Sequence, residues 1–239
     1  MIIDTHTHLF AADLDRHPTD PAASYQPEVS GSVELLRQQM DDSGVDRALT
    51  ISPWPYRWNM GYVLDILPEN RRWLAVAVLV DPFDAEGATQ LERYVKDHGV
   101  CGLRIQGRIL EMDPVDQPAT TPLWKKAADL GITLDVNASQ DEYDAVARRA
   151  REFPDLRIVL DHCGYVSPNL YPPEPTVDAV VRLADLPNVH TKLSFLGAAS
   201  AGGFPCADVH WMVRRVVDVF GAERCVFGTN SPTAQKLWT

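Results

Sequence analysis

Four residues into the chain, Asp4-Thr5-His6-Thr7-His8 is the densest group of chemically capable side chains. Met1-Ile2-Ile3 precedes it and reads as a buried strand, Met1–Asp4, that delivers these groups to its end. Strand alternation puts Asp4, His6 and His8 on one face and Thr5 and Thr7 on the other. Two imidazoles at that spacing hold one metal ion or one substrate between them. A third histidine, His162, follows an apolar segment in Leu160-Asp161-His162-Cys163-Gly164. In Gly102-Leu103-Arg104-Ile105-Gln106, Arg104 and Gln106 share a face. A core arginine is costly unless it meets an anion, so Arg104 is a candidate for a substrate carboxylate, or else pairs with an acid on a neighbouring strand. Lys192, in Thr191-Lys192-Leu193-Ser194, has the same two options. Tyr56, in the aromatic and basic stretch Ser52–Arg57, is a candidate pocket-lining residue. Asn230 stands in Phe227-Gly228-Thr229-Asn230-Ser231-Pro232. The other histidines read as peripheral: His98 ends a helix, His190 enters its strand at the far end, His210 lies in a helix and His17 in the first loop.

The elements that must carry these residues alternate along the chain. Apolar strand segments are expected at 1–4, 47–51, 74–80, 102–105, 133–136, 157–160, 189–193 and 225–227. Helical periods fall between them at 33–42, 60–67, 85–97, 123–130, 142–152, 177–186 and 209–220. Gly44, Gly99, Gly131 and Gly221 follow helices, where a left-handed stop belongs. Strand–helix alternation implies parallel pairing with right-handed crossovers. The pattern is that of one (β/α)8 TIM barrel domain over residues 1–239, with the eighth helix missing, which suggests a fragment or a gap filled by another subunit, such as a second copy, or another element. No glycine fingerprint follows the first strand, which argues against a dinucleotide fold. In such a barrel every candidate above sits at the carboxyl end of its strand.

Composition narrows the partners. With 22 Lys and Arg against 33 Asp and Glu the net charge is −11, unsuited to nucleic acid or an anionic membrane. The four cysteines are far apart and form no C-x-x-C pair, so neither disulfide framework nor zinc knuckle is expected. No leader precedes the first strand and no apolar run is long enough to span a bilayer, so a cytoplasmic protein with a small-molecule substrate is expected.

Taken in order, D-T-H-T-H, L-R-I-Q, L-D-H-C-G, T-K-L-S and F-G-T-N-S-P resemble the amidohydrolase superfamily, and within it the amidohydrolase-related family. That group includes 2-pyrone-4,6-dicarboxylate lactonase and aminocarboxymuconate semialdehyde decarboxylase. The resemblance implies a (β/α)8 barrel, hydrolysis or decarboxylation of a small carboxylate compound, and a site at His6, His8, His162 and the strand-eight position. Two departures bear on the metal. Asn137 stands where metal-dependent members carry a strand-five histidine or modified lysine, and Asn230 replaces the strand-eight aspartate that binds metal and activates water. An amide is a poor ligand and accepts no proton at neutral pH.

Three readings follow. The first is a lactonase-like hydrolase in which His6, His8 and Lys192 polarise a carbonyl, Arg104 and Gln106 hold substrate, and His162 accepts the proton. The second is a zinc-dependent decarboxylase with the metal on His6, His8 and His162. The third is a disabled family member, on the strength of Asn230.

Overall fold

The structure, a computed structural model, describes residues 1–107, 115–165 and 173–234. Eight parallel strands run in chain order: β1 (Ile3–Thr7), β2 (Arg47–Ile51), β3 (Leu74–Val78), β4 (Gly102–Gln106), β5 (Thr133–Asn137), β6 (Ile158–Leu160), β7 (Val189–Leu193) and β8 (Cys225–Phe227). The sheet closes just past β8, where Thr7 bridges Ser231, the His8 amide donates to the Ser231 carbonyl (2.7 Å) and the Asn230 amide donates to His6 (2.8 Å). The result is a (β/α)8 barrel.

The longer crossovers are α1 (Val33–Ser43), α2 (Gly61–Asn70), α3 (Gly87–His98), α4 (Thr121–Leu130), α5 (Tyr143–Glu152), α6 (Pro173–Val181) and α7 (His210–Phe220). Local sequence explains their ends. Ser32 caps α1 by accepting from the Leu35 amide, and Gly44 stops it at φ 69°, a conformation glycine adopts without a Cβ penalty. Val33, Leu36 and Met40 form the buried stripe between those ends. The main core lies between the outer faces of the strands and the helices, with Trp124, Leu91, Leu134 and Phe220 at most 1% exposed. A smaller cluster of Leu9, Phe10, Tyr56, Tyr62 and Leu74 pins the loop after β1 to α1 and α2.

Two expectations shift. The first strand is Ile3–Thr7, not Met1–Asp4, and Met1 and Ile2 are exposed (85% and 53%). Helix six begins at Pro173 and tightens into a 3-10 turn after Val181. Among the described residues no α-helix follows β8, and 235–239 lie outside them. Beside β8 and β1 the apolar Ile3 and Phe227 stay open to solvent. No described helix is long and apolar enough to cross a membrane.

Candidate active site

A bulge in β1 decides which of its side chains face inward. Asp4 pairs with Ala48 but Thr7 with Thr50, so β1 spends one more residue than β2 between those points. Simple alternation therefore fails. Thr5 reaches the interior, where it shares a cavity of about 550 Å³ with Leu49, Asp135, Val159 and Lys192. Asp4, expected on the face of His6 and His8, instead turns outward beside Leu36 and Met40. There its carboxylate accepts from the Thr229 amide (3.0 Å), the Thr229 hydroxyl (2.6 Å) and the His6 amide (3.0 Å). It ties the barrel's closing turn to β1 and leaves the site to the histidines.

Beneath them lie four buried charges, each at most 5% exposed: Arg104, Asp135, Asp161 and Lys192. Arg104 Nε donates to Asp161 Oδ2 at 2.7 Å, and Lys192 bonds Asp135 and lies 3.2 Å from Asp161 Oδ1. Two cations and two anions cancel, which is what makes their burial tolerable. Burial alone would raise the Asp161 carboxyl, but Arg104, Lys192 and His6 hold it well below the usual carboxylate range. Burial wins at Asp135, whose pKa is raised despite Lys192. Lys192 stays charged because Asp135 and Asp161 outweigh its own desolvation. The anion that meets Arg104 is thus the protein's own, and Lys192 has two.

The three histidines gather above this layer. The His6 ring centroid lies 5.0 Å from His8 and 4.5 Å from His162. His6 Nδ1 lies 3.2 Å from Asp161 Oδ1, with both side chains fully buried. His8 Nδ1 is 2.8 Å from the Ile51 carbonyl, and His162 Nδ1 is 2.8 Å from Ser194 Oγ. Burial lowers all three pKa values, Lys192 adds to the effect at each and Arg104 at His8 and His162, and His8 falls to about 4. All three are neutral at pH 7. A carbonyl oxygen only accepts, so neutral His8 carries its proton on Nδ1 and leaves a lone pair on Nε2.

His162 is placed by backbone strain. His162, Cys163 and Gly164 have φ of 56°, 52° and 72°, a left-handed run that non-glycine residues avoid. At Gly164 a Cβ would come within 2.4 Å of the Tyr143 hydroxyl, which donates to the Gly164 carbonyl. Asn230 is likewise left-handed (φ 58°), 3% exposed, and its Oδ1 has no partner among the described residues. Gln106 is 2% exposed and pairs with Asn137. Tyr56 is buried in the smaller cluster and its hydroxyl accepts from the Ala11 amide (2.7 Å), so it fastens the first loop. Tyr25, not singled out in the sequence, hydrogen-bonds the Trp54 backbone and feels the Arg104 charge.

Asp135 and Asp161 are the residues that sequence reasoning underused. The available signal was charge at inward positions of four neighbouring strands, two of each sign. As for a metal, among the described residues no group of three or more His, Cys, Asp or Glu side chains is arranged to hold one. His6, His8 and His162 as placed do not form a zinc site, and Asn137 and Asn230 add only amides.

The neutral histidines have a consequence for stability. In the unfolded chain His8 titrates near 6.5, whereas in the fold it titrates at about 4. Between those values the unfolded state binds more protons, so stability is full above pH 6.5 and falls as pH drops towards 4. His8 alone accounts for up to about 3 kcal/mol, and His6 and His162 act in the same direction. Asp135, with its raised pKa, opposes them in part. Urea melts should show a steep loss between pH 6.5 and 4; a flat profile would contradict neutral, buried histidines.

The profile of the amidohydrolase family matches residues 3–239. The chain belongs to the amidohydrolase family. This amidohydrolase is 27% identical over 237 residues to an L-fucono-1,5-lactonase of Burkholderia ambifaria, spanning 98% of this chain and 81% of that one. Its fold is similar to that of a probable 2-pyrone-4,6-dicarboxylic acid hydrolase of Acinetobacter baumannii, crystallised with citric acid (TM-score 0.83, 18% identity, 99% of this chain and 86% of that one). A Burkholderia multivorans amidohydrolase with bound zinc superimposes at a TM-score of 0.74 (20% identity, 100% and 87% covered). The amidohydrolase is thus an enzyme, and an L-fucono-1,5-lactonase is among its relatives.

Proposed function

We propose that this amidohydrolase hydrolyses a small cyclic ester, opening a lactone to the hydroxy acid. The observation that carries the reading is the His8–Ile51 bond, which leaves a neutral imidazole with an Nε2 lone pair, near the Arg104 and Lys192 charges. Water attacks the carbonyl carbon as His8 Nε2 takes its proton. The ring C–O bond then breaks, the leaving alkoxide regains that proton, and a carboxylic acid and an alcohol result.

His162 polarises the carbonyl: with the Ser194 hydroxyl donating to Nδ1, its Nε2–H points to the developing oxyanion. These roles exchange those suggested by sequence alone, because an imidazole whose only proton lies on Nδ1 has none to donate from Nε2. Arg104 and Lys192, tied to their acids, brace the layer beneath the histidines and do not themselves hold the substrate. His6 packs between the two other imidazoles. Zinc-dependent decarboxylation ranks behind this reading because it needs a ligand set the described residues do not make.

The test is acid release from a panel of five- and six-membered lactones, followed with a pH indicator. Turnover that survives dialysis against a chelator is expected; a loss above about tenfold would return the metal to the reaction. Asn230→Asp resolves the disabled-enzyme reading, because Asn230 sits next to His6 where an added carboxylate would serve as base. A change under about tenfold fits an active wild type, while a rise above about 100-fold would mean that this chain is a disabled form.

A further inference from the structure

Gln106 and Asn137 end β4 and β5 side by side in register, one inward step above Arg104 and Asp135. They are 2% and 1% exposed. Asn137 Nδ2 donates to Gln106 Oε1, and that single bond leaves Gln106 Nε2 and Asn137 Oδ1 without partners among the described residues. If both amides are turned over, the bond persists with roles exchanged and still leaves one donor and one acceptor. The pair therefore presents one buried N–H and one buried C=O, on two side chains already bonded to each other, at the carboxyl ends of β4 and β5.

We propose that Gln106 and Asn137 are a specificity-determining pair that reads a hydroxyl group on the substrate ring. A hydroxyl accepts from the free N–H and donates to the free C=O at once, satisfying both orphans. A carboxylate only accepts: it would suit the N–H but set a negative oxygen against the C=O. A methylene satisfies neither. Sites with buried polar groups reject ligands that leave those groups unpaired far more strongly than apolar pockets reject an extra methylene. The selected ligand is a hydroxylated ring, in preference to a bare ring or one that offers a carboxylate there. This rests on the lactone reading for the identity of the ring, but its test does not require turnover.

The probes are D-glucono-1,5-lactam and 2-piperidone, hydroxylated and bare six-membered lactams whose amide resists hydrolysis far more than an ester, titrated calorimetrically into the purified chain. The hydroxylated lactam should bind at least about 100-fold more tightly. Gln106→Met and Asn137→Leu should each weaken it more than about tenfold while moving 2-piperidone less than about threefold. A merely structural role would weaken both lactams alike and would overturn the proposal, as would a wild-type preference below about threefold. Should either apolar variant fail to fold, Gln106→Glu replaces the free donor with an acceptor at constant shape and should give the same selective loss. Lactam preference without hydrolysis of any lactone would sink the lactonase reading alone; hydrolysis without preference would sink the hydroxyl reader alone.

Discussion

Asp161→Asn should destabilise the protein by about 3–5 kcal/mol, a large part of the stability of a domain this size. Asp161 is fully buried, accepts from Arg104 at 2.7 Å and lies 3.2 Å from both Lys192 Nζ and His6 Nδ1. Removing its charge leaves two buried cations with Asp135 as the sole anion of the quartet. Breaking one partner of a buried ionic network costs more than the network contributes net, because the remaining charge is neither solvated nor paired. The charge argument also predicts a rescue. Lys192→Met added to Asp161→Asn leaves one cation, Arg104, and one anion, Asp135, so the double variant should regain at least about 1 kcal/mol over the single one. Urea midpoints at pH 7.5 measure both. A single variant within about 1 kcal/mol of wild type, or a double variant that loses the sum of two separate costs, would show that charge balance does not hold this core together.

His8→Asn should reduce kcat by about 10³-fold with little change in KM or melting temperature. Asparagine Nδ2 occupies roughly the place of imidazole Nδ1 and retains the N–H bond to the Ile51 carbonyl, yet has nothing where Nε2 was. The variant thus separates the lone pair from the structural bond. His162→Ala, which removes the polarising N–H, should be as severe, and the two together should cost less than their product because both serve one transition state. If His8→Asn retained kcat within about tenfold, His8 would not be the proton acceptor, and His162 would take that role.

Much of this site was legible before the fold. D-T-H-T-H, L-D-H-C-G and T-K-L-S mark strand ends through a local pattern, an apolar run broken by polar groups, and such patterns survive in a linear reading. The alternation of strand and helix carried the barrel for the same reason: periods of 2 and 3.6 are properties of short segments. The shifted limits of β1 have a physical cause, since Met1 and Ile2 are apolar yet meet no covering element among the described residues.

By itself, the sequence determined the order of elements, the barrel, the family and the three histidines, all of which rest on short-range patterning and residue type. Only the tertiary structure decided what those residues do. The register of β1 against β2 spends an extra residue near His6, turning Asp4 out and bringing His8 to the Ile51 carbonyl. Barrel closure brings strands far apart in the chain together, so that Arg104 meets Asp161 across 57 residues and Lys192 meets Asp135 across another 57. A charge in a strand announces that it needs a partner; which partner it finds depends on long-range register, and from that follow the protonation of each histidine and the chemistry left to it.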